Sequence, residues 1–120
     1  MGRGDDIQER LIKFAARSIR LSKELANSEA DKHITRQLVR PATAPAALHG
    51  EARSAESSAD FVHKLKIATK ELDESEVWLR ICVESGSVTD GQTSNLIDEC
   101  VQLQRILNAS IKTARKSVTR

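Results

Sequence analysis

Residues 37–81 read QLVRPATAPAALHGEARSAESSADFVHKLKIATKELDESEVWLRI and hold both prolines, two of the three histidines and the only tryptophan of the 120-residue chain. Within this stretch Phe61, Leu65, Ala68, Leu72, Ser75 and Leu79, continued by Cys82, recur at three- and four-residue steps. That period places one apolar stripe along a helix, and Ile67, Val77, Trp78 and Ile81 widen it. Ser57, with Asp60 three residues on, supplies an N-cap hydroxyl for the free backbone N–H groups of the first turn. A helix over about 58–85 follows. Upstream, Ile34, Leu38 and Val39 begin a second pattern that meets Pro41, Pro45 and Gly50. Each proline removes a donor and crowds the carbonyl four residues back, which predicts a kink. The pattern leaves open whether the helix breaks there; Ala42, Ala44, Ala46 and Ala47 favour a kinked but continuous element over about 29–56, capped by Ser28.

Outward from this centre, Ile7, Leu11, Phe14, Ala15, Ser18, Ile19, Ser22, Leu25 and Ala26 form one stripe on a helix over about 5–27. Gly86 to Gly91 reads as a turn, and Thr89 with Gln92 offers a cap for the last helix, about 90–118. There Leu96, Cys100, Leu103, Leu107, Ser110 and Ala114 repeat, backed by Ile97, Ile106 and Ile111. Four helices with short connections predict an all-α, antiparallel up-down-up-down four-helix bundle filling one domain over 1–120. The palette agrees: aromatics are 2% and Tyr is absent, so the core is Leu, Ile, Val and Ala, which suits interlocking helices. No apolar run approaches a membrane span. MGRGDDIQER lacks the apolar core of a signal peptide. The expected location is cytoplasmic, with Cys82 and Cys100 as buried free thiols.

Charge is sorted along the chain although the net charge is only +2. Residues 10–40 carry a balance of +5, residues 71–99 a balance of −7, and the segment after Glu99 is basic throughout. An antiparallel bundle then has a basic and an acidic side at one end. Such a molecule can dock head to tail on its own copies, and a heterologous contact that closes makes a ring. Solvated faces that only keep the chain dispersed account for the same pattern equally well.

Residue by residue, catalytic and metal chemistry find little support. A ferritin-like site needs Glu-x-x-His on two helices and a Glu on each of the others. Here there is one Asp60-x-x-His63, with Glu51, Glu71 and Glu74 nearby; Asp60 reads better as a capping acid and His63 as a surface residue. His49 with Glu51 offers an acid–base pair, which a solvent-exposed bend explains equally well. Acids near Cys82 raise a thiol pKa and disfavour a nucleophile. Expected are no catalytic residue, no metal, no cofactor and no enzyme activity. Nucleic-acid binding is the reading left, by Arg10, Lys13, Arg17, Arg20, Lys23, Arg36 and Arg40 from the first half and by Arg105, Lys112, Arg115 and Lys116 from the last helix. It would be backbone-directed and salt-sensitive, since so few aromatics disfavour base stacking.

The segment RPATAPAALHGEARSAESSADFVHKLKIATKELDESEVWLRI resembles the central signature of small bacterial four-helix-bundle proteins first noticed as products of intervening sequences in large-subunit ribosomal RNA genes. The pairs Glu51-Ala52, Asp60-Phe61, Lys64-Leu65, Ile67-Ala68, Lys70-Glu71 and Trp78-Leu79 carry the match, and DECVQLQRILNASIKTARKS resembles that family's last helix. The resemblance implies a homopentameric ring without catalytic activity. The family is similar to accessory proteins of diversity-generating retroelements, which implies a reverse transcriptase, RNA or DNA as partner. At the prolines the chain departs from the family, which tends to have Ser at positions 41 and 44, Val or Ile at 45 and Asn at 48.

Overall fold

The computed structural model describes residues 2–25, 27–88 and 91–118. They form α1 Arg3–Leu25, α2 Glu29–Arg53, α3 Ser58–Glu84 and α4 Gly91–Val118, with no strand among the described residues. Consecutive helices pack on one another, whereas α1 and α4 touch least, and the bundle measures 53 × 24 × 22 Å. Cross-helix partners fix the direction of two pairs. Gln8 meets Ala46 while Asp5 meets Arg53, and Arg40 meets Glu71 while Glu51 meets Lys64, so α1/α2 and α2/α3 are antiparallel.

The helix ends follow local chemistry. Ser28 Oγ accepts from the Asp31 N–H and Ser57 Oγ from the Asp60 N–H, each at 3.0 Å, which satisfies a free donor in each first turn. α1 starts at Arg3, a little before the expected 5, because the Gly2 carbonyl accepts from the Asp5 N–H. α2 stops at Arg53, short of the expected 56: Ser54 and Ala55 donate to carbonyls only three residues back, a tightening that ends an α-helix. α3 closes on Gly86 at φ 79. Its N–H bonds the Val83 carbonyl and that of Ser87 the Cys82 carbonyl, the Schellman arrangement that favours glycine. The expected Thr89 cap lies outside the described residues, as does Ala26.

The core is aliphatic. Leu11, Phe14, Leu38, Leu65, Leu72, Leu79, Leu103 and Leu107 are fully buried, with Ala42, Ala68, Cys82 and Cys100 among them. Ser18, Ser22 and Ser75 sit on core faces, each hydroxyl donating to the carbonyl four residues back. Such bonds let a small polar residue lie at a close helix contact without an unpaired group. α2 runs unbroken through Pro41 and Pro45, and both rings are fully buried. With Leu38, Ala42, His49 and Ala52 they share the face that α2 turns inward, so the prolines serve as core apolar residues. Thr43 Oγ1 adds bonds to the Val39 and Arg40 carbonyls beside them.

Two expectations need correction. Val77 and Ile81 do not widen the core face: they stand 56% and 38% exposed, because one and two turns past Asp73 the helix turns that side to solvent. His49 does not sit on a solvent-exposed bend; it is 4% exposed, on the inward face of α2.

Candidate nucleic-acid interface

Where α1 faces α4, the cations of α1 form a stripe. Arg10, Lys13, Arg17, Arg20 and then Glu24 recur at three- and four-residue steps, to one side of the buried stripe that includes Leu11, Phe14, Ser18 and Leu21. Position along the stripe decides what each cation meets. Arg10 is held by Glu99 of α4 through Nε at 3.0 Å and Nη2 at 2.6 Å, and Nη2 also reaches Gln102. The bond to Glu99 raises the Arg10 pKa further above its ordinary value. Two turns on, Arg17 and Arg20 face Thr93 and Asn95, which carry no charge. Together with Leu21, Glu24 and Leu96 these residues line a groove of about 360 Å³. Neither arginine makes an ion pair or hydrogen bond with any described residue.

The other expected cations divide in the same way. Arg40 reaches Glu71 at 2.7 Å and Glu74 at 3.0 Å, so it ties α2 to α3. Lys13, Lys23, Arg36, Arg105, Lys112 and Arg115 are exposed and make no ion pair with described residues, and Lys116 is exposed beside them. Lys112, Arg115 and Lys116, with Asn108 and Ile111, line a shallower hollow on α4 alone. The groove contains Asn95 and the hollow is centred near Lys112. At 1.5 Å per residue they lie about 25 Å apart along α4. The two basic clusters therefore do not merge within one protomer.

Sequence reasoning missed a polar site between α1 and α2. Gln8 Nε2 donates to the Ala46 carbonyl at 2.8 Å, and Gln8 Oε1 lies 2.7 Å from His49 Nδ1. With the amide nitrogen committed to a carbonyl, the amide oxygen faces the ring, so Nδ1 carries a proton and donates it to Gln8 Oε1. Burial, then the positive charge of Arg53, holds the His49 pKa below its ordinary value. Glu51, the partner expected for His49, instead pairs with Lys64 at 2.9 Å. The only sequence signal for this site is a histidine in step with Leu38, Pro41 and Pro45.

The thiols are free and buried. Cys100 Sγ donates to the Leu72 carbonyl at 3.1 Å, and burial pushes its pKa up to about 12. Burial, then Asp31, also raises Cys82. His63 is exposed, and no group of His, Cys, Asp and Glu able to hold a metal occurs among the described residues. No helix among them is long and apolar enough to cross a membrane.

Fold and site together define a small all-helical bundle that presents charged grooves and stripes on its outside. The chain belongs to the 23S rRNA-intervening sequence protein family, whose model matches residues 5–109. It is similar to a protein of unknown function from the S23 ribosomal protein family of Bacteroides thetaiotaomicron, solved as a crystal structure. The two share 30% identity over 92% of this chain and 99% of that one, with a TM-score of 0.86. No curated protein matches the chain.

Proposed function

We propose that this protein is a non-enzymatic, oligomeric scaffold that binds nucleic acid, RNA in the first instance, through the basic clusters of α1 and α4. One observation carries the reading. Arg17, Arg20, Lys112 and Arg115 lie on the surface without a carboxylate partner among the described residues, while Arg10, Arg40 and Arg53 are each neutralised inside the fold. Unpaired cations at two places about 25 Å apart suit a polyanion better than a compact ligand. The family's association with ribosomal RNA genes supports the same reading.

The scaffold is a homopentameric ring in the cytoplasm, with α2 of each bundle kinked at Pro41 and Pro45. Exposed Val77 and Ile81 on α3 support a copy-to-copy contact. Repetition around a ring multiplies a weak cluster, because phosphate affinity grows with the number of contacts. The same exposed pair supports a second reading, an adaptor for a protein such as a retroelement reverse transcriptase. Fluorescence anisotropy against RNA and DNA, from low to moderate salt, tests the first reading. Binding that weakens linearly in log salt is expected, and no binding at low salt refutes it. Light scattering that gives a monomer at micromolar concentration removes the ring.

A further inference from the structure

We infer that the groove between α1 and α4 is a site for one nucleotide of a single nucleic-acid strand; this rests on the nucleic-acid reading above and gives it an address. The argument begins with charge. Along the same seam Arg10 is matched by Glu99, but where Arg17 and Arg20 stand α4 presents Asn95 and Thr93. The one acid lining the groove, Glu24, is one turn past Arg20 and within ion-pair distance of neither arginine. Arg17, half-buried, and Arg20, exposed, thus share a concave wall on which Glu24, the one described acid, pairs with neither, which is complementary to a phosphate.

The shape narrows the occupant. A volume of about 360 Å³ lies at the small end of ligand pockets, roughly 300–1,000 Å³. It is more than a lone phosphate fills and far less than a stretch of duplex occupies. Leu21 and Leu96 give the groove an apolar side, and Asn95 adds an amide able both to donate to and to accept from a base edge. Few aromatics does not forbid base recognition, because an arginine plane can stack on an unpaired base while its neighbour holds the phosphate. The thin α1/α4 contact makes room for this without opening the leucine core.

The test uses the full chain and a fluorescein-labelled, unstructured 20-nucleotide RNA. Three variants are compared: Arg17→Gln with Arg20→Gln, Asn95→Glu, and Lys112→Gln with Arg115→Gln. Asn95→Glu sets a carboxylate one turn from Glu99 on the same face, so it neutralises the groove while circular dichroism and Tm stay as in the unaltered protein. Both groove variants are expected to weaken binding at least tenfold. The arginine pair should also lower the slope of log K against log salt by about 0.7, one single-strand phosphate contact. Unlabelled duplex of equal length should compete at least tenfold less well than single strand. Groove variants that bind like the unaltered protein, with loss only in the Lys112/Arg115 pair, overturn the site and leave the nucleic-acid reading standing. Equal competition by duplex overturns the single-nucleotide occupant. No binding by the unaltered protein overturns both.

Discussion

The contact of Gln8 with His49 makes a prediction whose size follows from the geometry. His49 is 4% exposed and its Nδ1–H donates to Gln8 Oε1, while Gln8 Nε2 donates to the Ala46 carbonyl. Gln8→Leu removes both bonds and leaves the ring N–H buried without a partner. That costs about 1–3 kcal/mol for the stranded donor and about 1 kcal/mol for the bond to Ala46. The added apolar contact of leucine offsets about 1 kcal/mol, for a net loss of roughly 1–3 kcal/mol. Unfolding entropy of about 2.1 cal/mol/K per residue converts each kcal/mol into about 4 °C for a chain of this length, so Tm should fall by roughly 4–12 °C. Gln8→Leu combined with His49→Leu replaces both partners by apolar groups and should recover most of that loss. Melts followed by circular dichroism at one fixed protein concentration close the double-mutant cycle. The pH dependence gives an independent reading. The folded pKa of His49 lies below its ordinary value, so the unfolded chain takes up this proton first. Stability is full above the unfolded value, near 6.5. It falls as pH drops through that value and levels off only below the folded pKa. The double variant lacks this component. A single variant as stable as the unaltered protein, or a cycle without coupling, refutes the assignment of Gln8 as the partner that makes a buried histidine tolerable.

Three further outcomes follow. Leu72→Ala, at a fully buried site in α3, should cost about 2–5 kcal/mol; denaturant titration should show a lower midpoint with an unchanged slope. Gly86→Ala forces an alanine to φ 79 and should cost about 1–2 kcal/mol, read as an equally lower unfolding free energy. Both thiols should resist Ellman's reagent at pH 8 in the folded protein and react at once in denaturant, since both are buried and Cys100 is pushed up to about 12; fast reaction of one thiol in the folded state would show that its helix opens.

What the sequence disclosed, and what it hid, divides along physical lines. The helices were legible because burial repeats with the helical period: Leu65, Ala68, Leu72, Ser75, Leu79 and Cys82 are all buried, as their spacing requires. Ser28 and Ser57 were legible because a cap is a local bond. Less legible was anything decided across helices. Spacing alone cannot tell that the face of Val77 and Ile81 is turned to solvent. His49 reads as polar until Gln8 is seen to satisfy it from 41 residues away. Pro41 and Pro45 signal a disturbed helix in one dimension, yet in three their rings pack inward and the helix continues. A ring that needs no N–H to pack does well on a buried face, at the cost of the bond that a non-proline residue would have donated to the carbonyl four residues back.

The charges show why composition is a poor guide to a binding surface. Counted along the chain, Arg10, Arg17, Arg20 and Arg40 are equivalent members of one basic segment. In the fold, Arg10 and Arg40 spend their charge on Glu99, Glu71 and Glu74, so the acidic segment of residues 71–99 cancels part of the basic one inside a single molecule. Exposed pairs of this kind are each worth no more than about 1 kcal/mol. Their larger effect is on the field outside the protein: a neutralised arginine attracts a distant phosphate far less than a lone one does. The cations that matter for a polyanion are therefore those the fold leaves unmatched. Arg17 and Arg20 are set apart by their neighbours on α4, where one carboxylate at Asn95 would have closed the seam as Glu99 closes it at Arg10. The discriminating residue is thus uncharged, and it becomes visible only when the facing helix is in place.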